Sequence, residues 1–216
     1  MQSLQGLRRI GFALVLACIG TSNVEAQAPA ADVIQRASRS RAKGVEGAPV
    51  LVFEIADFQC PYCAHFATEV YPRLDSAYVK TGKVQWVFVN LPLPNHARGW
   101  QAAEAAACAG AVSDRFWPMH DRLFGEQSTW SKVADLDAVL RDYARDAGVA
   151  ADAYDACVMS DQVAQLLIQD MLFASAAGVT GTPTFIIDKK EMVVGFKTFE
   201  EWQGIIEKAL QSGNNE

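Results

Sequence analysis

Apolar side chains follow two kinds of pattern along this chain. Val50-Leu51-Val52-Phe53-Glu54-Ile55-Ala56 is an apolar run with one charge, rich in β-branched and aromatic residues, and predicts a buried strand. Phe66, Val70 and Leu74 then recur at intervals of four and predict one face of a helix reaching about Lys80. Pro72 cannot donate a hydrogen bond, so a kink or break is expected near Tyr71. Gly82 closes that helix, and Lys83 to Asn90, with Trp86, Val87, Phe88 and Val89, predict a second strand. Strand, helix and strand with a short link predict a βαβ unit with a parallel pair.

Leu91-Pro92-Leu93-Pro94 interrupts this pattern, and helical signals then dominate. Trp100 to Val112 is Ala-rich and contains Cys108, and Phe116 to Phe124 is a second apolar piece. Leu136, Val139, Leu140, Tyr143 and Ala147 share one helical face, closed by Gly148. A short helix from Asp152 carries Cys157, and Val163, Leu166, Leu167 and Met171 mark a longer one ending near Gly178. After Gly178-Val179-Thr180-Gly181-Thr182-Pro183, the runs Thr184–Ile187 and Glu191–Val194 flank Asp188-Lys189-Lys190 and predict a hairpin. Thr198 and Glu201 form a capping box for a last helix whose apolar face is Trp202, Ile205, Ile206, Ala209 and Leu210. The reading is an α/β fold with a helical block inserted between its halves, and a short tail at 212–216.

The first residues change the compartment. Arg8 and Arg9 precede an apolar stretch, Ile10 to Ile19, too short to span a membrane, and Val24-Glu25-Ala26 places small residues before a cleavage point. Residues 1–26 therefore read as a secretory signal and the protein as periplasmic. A lipoprotein signal ending at Cys18, after Leu14-Val15-Leu16-Ala17, is the rival reading, with Leu16 a poor fit where a small residue is wanted. Residues 27–47 are rich in Ala, Arg and Ser, with a short helix expected from Asp32 to Arg41. Their few large apolar residues, Val33, Ile34 and Val45, predict a solvated lead-in. Without Arg8, Arg9 and Glu25, 17 basic and 24 acidic side chains leave a net charge near −7, which argues against a nucleic-acid partner. Four cysteines remain, an even number that fits disulfides in an oxidising compartment.

The candidate chemistry lies at Cys60-Pro61-Tyr62-Cys63, where the first strand gives way to a helix. Two cysteines at this spacing can close a small disulfide ring. At a helix N-terminus, with Pro61 in the first turn, free backbone N–H groups and the helix dipole stabilise a Cys60 thiolate, the form that attacks or leaves in disulfide exchange. Cys63, one turn on, would be the resolving thiol. A four-cysteine zinc site would need a second close pair, and Cys108 and Cys157 stand alone. His65, His96 and His120 are not spaced as a metal set and read as surface or packing residues, so no metal or cofactor is expected.

Phe58-Gln59-Cys60-Pro61-Tyr62-Cys63, the Leu91–Pro94 break with its Ala-rich helix, Phe116-Trp117-Pro118-Met119-His120-Asp121 and Gly181-Thr182-Pro183-Thr184-Phe185 occur in this order. Together they resemble the thioredoxin superfamily, and within it the exported DsbA-like thiol oxidoreductases, over about residues 48–211. The resemblance implies a thioredoxin fold split into 48–94 and 178–211, with 95–177 as the helical insertion. It implies a cis Thr182–Pro183 bond facing the cysteine pair, and a substrate segment pairing with the backbone at Thr182 beside Pro61 and Tyr62. Glu54 matches a buried acid of thioredoxin-like proteins. Burial would raise its pKa and suit it to relay the Cys63 proton, whereas a carboxylate at a strand end would reach solvent. Cys108 and Cys157 look similar to a second, structural disulfide of some relatives.

The implied function is introduction of disulfides into reduced, unfolded exported polypeptides, with re-oxidation by a quinone-linked, DsbB-like membrane partner. Isomerase or reductase action is the alternative within redox chemistry. Isomerases of this superfamily use an N-terminal dimerisation domain, and 27–47 is too short and polar for one, so a monomer is expected. A binding module or chaperone with an incidental disulfide is the alternative from another class, and would keep its activity in Cys60→Ser.

Overall fold

A computed structural model describes residues 30–213 of the chain. The signal-sequence reading of 1–26, Cys18 included, and the last three residues of the tail lie outside the described residues. The elements run α1 (Ala30–Ser40), β1 (Ala42–Lys43), β2 (Val50–Ala56), then a continuous helical run from Pro61 to Val79, then β3 (Val84–Asn90). The helical block follows as α4 (Gly99–Ser113), α5 (Phe116–Gly125), α6 (Gln127–Trp130), α7 (Leu136–Asp146), α8 (Ala151–Met159) and α9 (Ala164–Ala176). The chain closes with β4 (Thr184–Ile187), β5 (Glu191–Val194) and α10 (Phe199–Gly213).

The five strands make one sheet in the order β1-β3-β2-β4-β5. β2 and β3 are parallel, with Val50 opposite Val84 and Ala56 opposite Asn90; the other pairs are antiparallel. This is the thioredoxin fold, a mixed sheet flanked by helices, with α4 to α9 inserted between β3 and β4. The central strand β2 is buried on both faces, which is why its sequence does not alternate. On one face Phe66, Trp86, Phe185 and Trp202 pack together from the helical run, β3, β4 and α10. On the other face Ile55, Val89 and Ile186 meet Ala174 of α9.

One local expectation takes a particular form and another is corrected. The irregularity expected near Tyr71 is present, but the helix is not interrupted there. It widens: Pro61–His65 (α2) is followed by a π-helical turn at Phe66–Val70, and the Tyr71 N–H donates to the Phe66 carbonyl five residues back. Pro72 then falls in the first turn of a new α segment, α3 (Tyr71–Leu74), where its missing N–H is not needed. A second π turn, Asp75–Val79, completes the run.

The segment read as a solvated lead-in is instead built into the domain. Val33 and Ala37 of α1 are buried with the insertion's core. Gly110 on α4 permits the close approach, since a Cβ there would lie 2.1 Å from Ser40 Oγ. Arg36 Nε donates to the Ala111 carbonyl at 2.8 Å. The buried Arg41 guanidinium pairs with Asp170 on α9, and the same carboxylate oxygen accepts from the backbone N–H and side-chain amide of Asn90, both at 2.9 Å. The small side chains of α1 suit close helix packing, and composition alone does not separate that from solvation.

Within the insertion, Cys108 of α4 and Cys157 of α8 are bonded, with Sγ atoms 2.06 Å apart and Cα atoms 5.7 Å apart.

Candidate active site

β2 ends at Ala56, and the backbone turns through Asp57, Phe58 and Gln59 to Cys60, whose extended backbone (φ −74°, ψ 122°) caps α2. Proline follows at the first helical position because its fixed φ suits a helix start. Both sulfurs are nearly sealed: Cys60 is 4% exposed and Cys63 fully buried, while Pro61 and Tyr62 face solvent. Across the sheet, the Thr182–Pro183 peptide is cis, and the Thr182 carbonyl lies 3.4 Å from Cys60 Sγ.

The two thiols are pushed in opposite directions. Cys60 is pulled down to about 5, chiefly by the hydrogen bond from the Cys63 thiol. Burial opposes this, and the Thr182 side chain and the N–H groups of Cys63 and Tyr62 add to it. Cys63 is raised well above the ordinary thiol value, first by burial and then by the neighbouring Cys60. Cys60 is therefore a thiolate near neutral pH while Cys63 keeps its proton.

Glu54 sits on β2 with its side chain fully buried against the Trp86 indole. The indole N–H of Trp86 donates to Oε2 at 2.7 Å, and Oε1 has no partner. Burial outweighs the indole and pushes the carboxyl up to about 8. The strand-end carboxylate reaching solvent is not what the structure contains.

Sequence reasoning missed the brace that holds the Cys60 loop. The buried Asp57 carboxylate accepts from the Gln59 N–H through Oδ1 and from the Leu93 N–H through Oδ2, each at 2.7 Å. His96 Nδ1 lies 2.7 Å from the same Oδ2. Gln59 Oε1 accepts from the Arg98 N–H at 2.7 Å. From the insertion, the Gln127 amide donates to the Phe58 and Cys60 carbonyls at 2.7 and 2.9 Å. Asp57 could have been noticed as a charge at the end of an apolar strand. Its partners, 36 and 39 residues further on, leave no local signal. His96 and His120 are packed residues, the first against Asp57 and the second fully buried. Among the described residues no group of three or more His, Cys, Asp or Glu is placed to hold a metal ion.

A mixed sheet carrying a cysteine pair at the start of its first long helix, opposite a cis-proline turn, defines a thioredoxin-fold protein with a dithiol site. Residues 36–208 match the family model described as Thioredoxin, and the chain belongs to that family. It is 25% identical over 171 residues to disulfide bond formation protein D of Bacillus subtilis, covering 78% of this chain and 76% of that protein. It is also 36% identical over 151 residues to the Na(+)/H(+) antiporter NhaA 3 of Salinispora tropica, which is 69% of this chain and 22% of the antiporter. The chain thus spans about a fifth of that relative's length, and the likeness concerns a segment of it. The crystal structure of Wolbachia pipientis α-DsbA1 has the same fold, with a TM-score of 0.70 at 24% identity, covering 80% of this chain and 92% of that one.

Proposed function

We propose that the protein is an exported thiol–disulfide oxidoreductase that introduces disulfides into reduced, unfolded polypeptides. The observation that carries this reading is the Cys60 sulfur. It is held as a thiolate by donors from Cys63 and the helix start, and it lies against the Thr182 carbonyl of a neighbouring turn. Stabilising the thiolate stabilises the reduced protein, and so makes the Cys60–Cys63 disulfide a strong oxidant.

In the oxidised protein a substrate thiolate attacks Cys60 Sγ, the Cys60–Cys63 bond breaks, and the electron pair leaves on Cys63. Cys63 takes up a proton, since its buried site disfavours the anion. Glu54, protonated near neutral pH and buried on the strand that leads to Cys60, is the group read as supplying it. A second substrate thiolate then attacks the substrate sulfur of the mixed disulfide. A substrate disulfide forms, and Cys60 leaves as the stabilised thiolate. The Thr182 backbone and the exposed Pro61 and Tyr62 form the surface on which an extended substrate segment lies, main chain to main chain. Cys108–Cys157 plays no part in exchange and ties α4 to α8. A quinone-linked membrane partner of DsbB type would return the pair to the disulfide. The likeness to disulfide bond formation protein D supports the disulfide-forming direction.

The test is the equilibrium reduction potential against glutathione. A value near about −120 mV is expected; a value near about −270 mV would make the protein a reductase.

A further inference from the structure

The exchange steps leave several buried polar atoms unused. Glu54 Oε1, Tyr71 Oη, Trp117 Nε1 and His120 Nε2 are all shut off from solvent without a hydrogen-bond partner. They occupy one region. The Trp86 indole that holds Glu54 lies 5.2 Å from the Tyr71 ring, centroid to centroid. Tyr71 lies 5.4 Å from Trp117 and 6.2 Å from His120, and Trp117 lies 4.8 Å from His120. The other ring nitrogen of His120, Nδ1, is 2.8 Å from Asp121 Oδ1, whose side chain is 67% exposed. Tyr71 and Asp121 both line a surface cleft of about 500 Å³. Buried polar atoms are paired, with protein or ordered water, in all but a few cases. Four such atoms lie among these contacting rings, between a sealed carboxyl and a cleft that Tyr71 and Asp121 line, a polar setting suited to bridging water.

We propose that Tyr71, His120 and Asp121 form the path along which Glu54 exchanges its proton with solvent. This rests on the reading of Glu54 as the proton relay of the dithiol site. Glu54 gives a proton to Tyr71 Oη, which releases its own, through bridging water, to His120 Nε2. His120 releases the Nδ1 proton to Asp121 and the cleft. One proton has moved outward, Tyr71 is unchanged, and His120 has switched tautomer. The return passage, which reloads Glu54, restores it. The surrounding charges suit a swap without ionisation. Burial, aided by Glu54, Asp75 and Asp121, disfavours the tyrosinate, and burial keeps His120 neutral and able to accept. At the cleft, Lys43 lies over the Tyr71 and Trp117 rings at 5.4 and 4.9 Å, and Lys43 and Lys80 offset Asp75 at 3.3 and 2.8 Å.

The test follows deuteration of the protonated Glu54 carboxyl after rapid mixing into D2O, by its infrared C=O band at about pH 6.5, where Glu54 holds its proton and exposed carboxylates do not. Loss of the band in Glu54→Gln assigns it. Tyr71→Phe removes the hydroxyl alone and keeps the ring stack, and His120→Phe removes the second carrier; thermal melts check that both fold. Deuteration slower by an order of magnitude or more in both variants is expected, since a blocked Glu54 exchanges only through local opening. A wild-type rate in either variant would overturn the path. Thiol exchange by Glu54→Gln at the wild-type rate would instead remove the relay reading, and deuteration would still judge the path.

Discussion

Cys60 Sγ and the carbonyl oxygen of Thr182 lie 3.4 Å apart, across 122 residues of chain. The contact sets a sulfur that can carry charge beside a main-chain acceptor with which an incoming peptide can pair. It joins the bond that breaks to the surface that binds.

The first prediction concerns Cys60 itself. Its lowered pKa stabilises the folded, reduced protein fully above the ordinary thiol value of 9.0. That contribution declines as pH falls and is gone below about 5. The stability advantage of reduced over oxidised protein should therefore shrink as pH falls from 9 to 5, as followed by denaturant unfolding of both forms. Iodoacetamide should modify Cys60 with a rate midpoint near pH 5 and leave Cys63 untouched. Cys60→Ser should abolish exchange, and retained activity in that variant would favour a binding module.

Glu54 has the opposite sign. Its folded pKa is raised from 4.5 to about 8, so the cost of burying its charge is absent below pH 4.5. The penalty grows through that window to a plateau above 8. Glu54→Gln keeps an acceptor for Trp86 and removes the charge. It should be more stable than the wild type by a few kcal/mol at pH 9 and indistinguishable at pH 4, by urea midpoints. Its exchange rate should lose the pH dependence carried by the relay.

Cutting the Cys108–Cys157 bond should lower stability without touching exchange. With the cysteines 49 positions apart, the loop-entropy model gives about 4 kcal/mol as an upper figure for the Cys108→Ala, Cys157→Ala double variant. A melting temperature equal to the wild type's would show that helix packing alone holds α4 to α8.

Asp57→Ala strips the buried acceptor from the N–H groups of Gln59 and Leu93 and from His96. A cost on the order of 3 kcal/mol is expected, because buried donors are left unpaired. Exchange should slow as the Cys60 loop loosens, and Asp57→Asn should recover part of both losses. Calorimetry and single-turnover oxidation of a model dithiol peptide measure the two effects.

What the sequence by itself determined is local. The unbroken apolar run of β2, the interval-of-four face of the following helix, the hairpin at Asp188-Lys189-Lys190 and the Thr198–Glu201 cap are written in neighbouring residues. The structure contains each because local periodicity and turn chemistry agree with the tertiary fold. The Cys60–Cys63 pair was legible for the same reason, since its spacing and the proline between its members are short-range features.

Tertiary structure decided what depends on distant residues meeting. Whether α1 is solvated or packed turned on Gly110 and Asp170, far along the chain. How the helix absorbed Pro72 turned on a change of hydrogen-bond reach that the 3.6-residue pattern does not encode. The Asp57–His96 brace spans 39 residues and the Cys60–Thr182 approach 122, and neither leaves a periodic trace. The pKa values of Cys60, Cys63 and Glu54 follow from which dipoles and apolar walls surround them, and only the folded chain supplies those surroundings.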